Sequence, residues 1–122
     1  MKGRILVVDD EESVGIGMSE LLKDEGFEAA YAISGKEAVA AVKDRGYDVI
    51  FMDMVMPGMN GLETYREIKK HLPAAKVILF TGYFRDAGDI MLQGVKEGMI
   101  DEFIRKPYFA DEIIRTARKF AA

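Results

Sequence analysis

Five short apolar runs alternate with stretches of helical period along the whole chain, and this alternation limits the fold more than any other feature. The runs fall at 4–8, 28–32, 48–52, 76–80 and 102–104. Three of them lack period-two alternation, which suits parallel strands covered on both faces. Between the runs, Val14, Met18, Leu21 and Leu22 form one helical stripe, with Gly26 placed as its C-terminal stop. Ser34 and Glu37 make a capping box for a second helix carrying Ala38, Val39 and Val42 and ending near Gly46. Leu62, Tyr65, Ile68 and Leu72 mark a third, stopped by Pro73. A fourth is expected within 87–97, and a fifth carries Ile113, Ala117 and Phe120. Strands alternating with helices predict an α/β doubly wound parallel sheet with right-handed crossovers. In such sheets ligands bind outside the carboxyl ends of the strands, where the strand order reverses.

The chemistry-bearing residues sit at those carboxyl ends. Asp9 and Asp10 end the first run, Asp53 follows the third, Thr81 the fourth, and Lys106 comes just after the fifth. Adjacent first and third strands would bring Asp9, Asp10 and Asp53 into one pocket. Converging carboxylates repel unless a cation neutralises them. An oxygen-only ligand set of this kind suits Mg²⁺, which is content with one or two carboxylates, waters and a phosphate. Each residue also has an ordinary explanation. Acidic residues favour the first turn of a helix, Thr81 is a normal strand residue, and lysine is usually a solvated charge. The combination favours a site, with Asp53 as a carboxylate nucleophile toward phosphorus.

The motifs Val8-Asp9-Asp10-Glu11, Met52-Asp53-Met54 with Met56-Pro57-Gly58-Met59-Asn60-Gly61, Thr81-Gly82, and Phe103-Ile104 followed by Lys106-Pro107 occur in that order over nearly the whole chain. In this the sequence resembles the receiver domain of two-component response regulators. The resemblance implies a flavodoxin-like sheet of five parallel strands in the order 2-1-3-4-5 with five helices. It implies that Asp53 takes a phosphoryl group, with Asp10, Asp53 and the backbone carbonyl of Val55 as Mg²⁺ ligands and Asp9 acting through water. Lys106 and Thr81 would each cover an oxygen of the transferred group, with the Lys106-Pro107 bond cis. Thr81 and Phe103 would act as the switch that reports phosphorylation to a surface made of the fourth helix, fifth strand and fifth helix. The phosphodonor partner would be a sensor histidine kinase or phosphotransfer protein. Gly88 and Gly94 weaken the expected fourth helix, each by about 1 kcal/mol relative to alanine.

The remaining expectations come from bulk properties. The chain of 122 residues is read as one receiver domain over 1–122 with no output domain attached, a monomer or weak homodimer. It has no cysteine and one histidine, His71, which excludes thiolate chemistry and a histidine-rich metal site. A net charge of −4 with no basic run argues against direct nucleic-acid or acidic-membrane binding. No signal peptide or membrane span is evident, so a cytoplasmic protein is expected. Met52, Met54, Met56 and Met59 are read as packing material. The leading function is a phosphorylation switch without turnover of an external substrate. The alternative is a Mg²⁺-dependent phosphatase working through an aspartyl phosphate, opposed by Val55 at the position such enzymes use for an acid–base aspartate. A nucleotide pocket without chemistry is a third reading, opposed by the acidic mouth and the lack of a glycine-rich phosphate loop.

Overall fold

The computed structural model describes residues 3–53, 58, 61–81, 102–105 and 110–121, with the backbone alone at 81 and 102–105. The described elements run β1 (Arg4–Val8), α1 (Glu12–Asp24), β2 (Glu28–Ala32), α2 (Gly35–Asp44), β3 (Val49–Asp53), α3 (Gly61–His71), β4 (Lys76–Thr81), β5 (Glu102–Arg105) and α4 (Ala110–Ala121). All strand pairings are parallel, in the order β2-β1-β3-β4-β5. The doubly wound parallel sheet expected from the alternating runs is therefore present. The helix expected within 87–97 lies outside the described residues.

The consecutive apolar residues explain why the sheet is covered twice. Leu6, Val8, Ile50, Met52, Val77 and Leu79 pack on one face with Ala38 and Val42 of α2 and Leu62 and Ile68 of α3. The alternate residues, Ile5, Val7, Val49, Phe51, Ile78 and Phe80, pack on the other face with Met18 and Leu22 of α1 and Ile113 and Ala117 of α4. Each large aliphatic or aromatic side chain removed from water this way contributes about 1.5–3 kcal/mol. The rings of Phe51 and Phe80 stack on neighbouring strands with centroids 5.6 Å apart. β1, β3 and β4 thus form the rigid centre of the domain, and their carboxyl ends are held in fixed register.

Helix ends follow local rules, with two departures from expectation. Gly26 has φ 93°. Its N–H donates to Lys23 O at 3.0 Å, and the Phe27 N–H donates to Leu22 O at 3.1 Å. This is the Schellman arrangement, completed by burial of Phe27 and Leu22 in one cluster. At α2, Ser34 Oγ accepts the Glu37 N–H at 3.1 Å. The return arm, however, reaches the N–H of Ile33 at 3.4 Å rather than that of Ser34. Gly46 also differs from a glycine stop: α2 ends at an extended Arg45, and Gly46 does not take positive φ.

At the opposite edge of the sheet, Asp48 ties three strands together. Its carboxylate accepts the Arg4 N–H at 2.8 Å. Its own N–H donates to Arg4 O, and its carbonyl accepts the Lys76 N–H. Gly3 donates to Ala121 O at 3.0 Å, fastening the end of α4 to the start of β1. A Cβ at position 3 would lie 2.6 Å from Asp48 Oδ2, so only glycine fits there.

Two positions in α1 leave stability unrealised. Gly17 is exposed within the helix, and a Cβ added there would meet nothing within 4 Å. Gly17→Ala is therefore expected to raise stability by about 1 kcal/mol, read as a higher urea midpoint at unchanged m-value. Ser19 is buried, and its hydroxyl has no hydrogen-bond partner among the described residues, so Ser19→Ala should be neutral or stabilising rather than costing the ~1 kcal/mol of an ordinary lost hydrogen bond. A lower midpoint for either variant contradicts this account of α1.

Candidate functional site

Register places the site. Val8 of β1 lies opposite Met52 of β3, so Asp9 and Asp53 are the next residues on adjacent parallel strands. Asp9 is fully buried, Asp53 is 8% exposed, and Asp10 is exposed at the rim. One carboxylate oxygen from each of the three lies within 4.8 Å of the others. The structure therefore brings together the three acidic residues picked out in the sequence.

The loop from β1 into α1 is held by several ties. The Asp9 N–H donates to Ala32 O at 3.1 Å. Asp9 Oδ1 accepts the Glu11 N–H at 2.9 Å. Glu11 is the N-cap of α1 but provides no side-chain cap. Instead the Tyr31 hydroxyl donates to Glu12 Oε1 at 3.1 Å. That bond, reinforced by partial burial, raises the Tyr31 phenol above its ordinary pKa. The roles of Tyr31 and Glu12 were not apparent in the sequence. A tyrosine in an edge strand and a glutamate in a helix's first turn are both common, and only their meeting across the β1–α1 loop is informative.

Energetics favour a cation here. At this separation and an effective dielectric of about 20, two unit charges repel by on the order of 3 kcal/mol. A hydrogen bond to a charged group contributes about 1.5–3 kcal/mol, so one such bond offsets roughly one pair. Three carboxylates make three pairs, and Asp10 has no partner among the described residues. A divalent cation offsets all three pairs at once. The donors are hard oxygens, two of them shielded from bulk water, and they fit Mg²⁺ in ligand type and number.

The other expected site residues fall partly or wholly outside the described set. Thr81 ends β4, one step beyond Phe80, which lies opposite Asp53. Its backbone is therefore at the level of the site. Phe103 lies in β5 opposite Leu79. The side chains of Thr81 and Phe103, together with Val55, Lys106 and the Lys106-Pro107 bond, lie outside what is described. Gly58, in the loop after Asp53, has φ +75°. That is the conformation a Pro-Gly turn requires and other residues adopt only with strain.

The structure is thus a doubly wound α/β domain with an acidic cluster at the carboxyl ends of β1 and β3, where sheets of this kind bind their ligands. The chain belongs to the response regulator receiver domain family, whose sequence pattern it matches over residues 5–118. It is 32% identical over 118 residues to the DNA-binding response regulator MtrA of Mycolicibacterium paratuberculosis, covering 97% of this chain and 51% of that protein. It is 33% identical over 114 residues to the sensory transduction protein RegX3 of Mycobacterium tuberculosis, covering 93% and 48%. Its fold superposes with a TM-score of 0.80 on a response regulator receiver domain protein from Clostridium thermocellum, at 35% identity and covering 95% of both chains. The chain spans about half the length of the curated relatives it matches. The expectation of no nucleic-acid contact gains no support from these likenesses, since MtrA is named as DNA-binding. Among the described residues, no helix is long and apolar enough to cross a membrane.

The acidic cluster predicts a specific metal linkage. Asp10→Asn should raise the unfolding midpoint of the metal-free protein, because one of the repelling charges is removed. Wild-type protein should gain about 2.7 kcal/mol at a Mg²⁺ concentration of 100 times its Kd, and Asp10→Asn should lose most of that gain. Equal Mg²⁺ responses in the two proteins, followed by thermal or urea unfolding, would rule out Asp10 as a ligand.

Proposed function

We infer that this receiver domain is a phosphoacceptor whose Asp53 takes a phosphoryl group from a phosphohistidine on a sensor kinase or phosphotransfer protein. The observation that carries this is the convergence of Asp9, Asp10 and Asp53 at the carboxyl edge of β1 and β3, with Asp53 nearly buried at the end of its strand. A carboxylate oxygen of Asp53 attacks phosphorus, a new P–O bond forms, and the P–N bond to the donor imidazole breaks. The imidazole leaves with the bonding electron pair and takes a proton from solvent. Bound Mg²⁺ would neutralise charge on the transferring group and on the carboxylates around it. Asp10 and Asp53 would hold it, with the Val55 carbonyl by family likeness and Asp9 through water. Asp9, fully buried and bonded to the Glu11 N–H, keeps the loop carrying Asp10 in place. Lys106 would present a point charge to one phosphoryl oxygen and Thr81 a hydroxyl to another.

Phosphorylation would act through Thr81 and Phe103. Thr81 ends the strand beside Asp53, and Phe103 lies on β5 next to that strand. The reading surface would be built from β5, α4 and the segment between β4 and β5. The domain would catalyse its own phosphorylation and slow dephosphorylation without turning over an external substrate. The phosphatase reading is disfavoured by Val55, an aliphatic residue that cannot exchange protons. A role in a larger DNA-binding regulator, as with MtrA, and a cytoplasmic location are consistent with this function.

Incubation with Mg²⁺ and acetyl phosphate should add one phosphoryl group to the intact mass, and Asp53→Asn should abolish the addition. Equal labelling of the variant would move the phosphoacceptor elsewhere. Sustained hydrolysis of a small phosphate ester would favour the phosphatase.

A further inference from the structure

The first turn of α1 carries the acidic loop, yet its N-cap residue Glu11 gives it no side-chain bond. Part of the tie comes from the neighbouring strand. Tyr31, near the end of β2, donates its hydroxyl to Glu12 Oε1 at 3.1 Å. Its side chain also lies along the helix: a Cβ placed at Gly15 would sit 3.0 Å from Tyr31 Cβ and Cδ2 and 3.1 Å from Cγ. Residues 12 and 15 are one turn apart on the same helical face. Tyr31 therefore grips the first turn at two points, with glycine at 15 leaving room for the ring.

Apolar packing alone does not explain this aromatic, which remains 39% exposed. Its position does: Glu12 is two residues from Asp10, and the intervening Glu11 donates its N–H to the Asp9 carboxylate. A shift of the first turn is passed directly to Asp10, which has no other partner among the described residues.

We propose that Tyr31 is a positioning residue for the acidic site, its hydroxyl holding Glu12 so that the first turn of α1 presents Asp10 as a cation ligand. This rests on the Mg²⁺-dependent phosphoacceptor reading above. The contribution is to metal affinity, not to the chemistry at Asp53, because the Tyr31 hydroxyl acts on Glu12 and through it on Asp10.

The test is Tyr31→Phe, which removes the hydroxyl and keeps the ring and the net charge. Calorimetric titration of the metal-free protein with MgCl₂ should show a Kd raised about threefold or more, the scale of one modest hydrogen bond. The metal-free unfolding midpoint should stay unchanged, and amide exchange at Val14 and Gly15, the first N–H groups bonded back to Glu11 O, should speed up. At saturating Mg²⁺ the rate of labelling by acetyl phosphate should return to the wild-type value. A smaller change in Kd, or a loss of affinity accompanied by a lower midpoint, overturns the proposal, the second outcome making Tyr31 merely structural. Wild-type protein that takes up no Mg²⁺ overturns the parent reading instead, whereas normal wild-type binding with an unaltered variant overturns this inference alone.

Discussion

Everything at the functional edge depends on the parallel pairing of β1 with β3. Two strands that carry four consecutive apolar residues each are buried between two helical layers, and this structure provides them, with α2 and α3 on one side and α1 and α4 on the other. Once the pair is locked, Val8 sits opposite Met52 and the next residues are both aspartates. No local propensity would place two carboxylates side by side in near-complete burial. The hydrophobic core forces them together, and the site inherits its geometry from packing that has nothing to do with phosphate.

That arrangement makes the acidic edge a place of electrostatic tension resting on a well-packed base. The opposite edge is the reverse case: there Asp48 joins β1, β3 and β4 through three hydrogen bonds, and Gly3 fastens the end of α4. One end of the sheet is stapled, while the other carries clustered carboxylates, whose mutual repulsion a cation would offset. The strands are held by the apolar layers rather than by the site.

The β1–α1 loop shows how the two requirements meet. Asp9 is committed to the chain through its N–H to Ala32 and its carboxylate to Glu11. Asp10 is left exposed beside it. Neighbouring residues of the same type thus divide into one that shapes the loop from within and one that joins the acidic cluster at its exposed rim. The family likeness covers nearly all of this chain but only about half of its curated relatives.

The sequence by itself determined the architecture, because a run such as Ile5-Leu-Val-Val8 has only one stable environment, and the helix stops at Gly26 and Pro73 are written in local backbone chemistry. It also singled out Asp9, Asp10 and Asp53, which follow the first and third apolar runs and converge in the fold. The tertiary structure decided the local details. Burial separates Asp9 from Asp10, the return arm of the α2 cap goes to Ile33 rather than Ser34, and Gly46 plays no left-handed role. Only the fold could bring Tyr31 to Glu12 across a gap of nineteen positions. Periodicity and capping are encoded within a few residues of one another and can be read in order. Contacts between strand β2 and the start of α1 exist only after the chain has closed, when the sheet fixes which side chains share a corner.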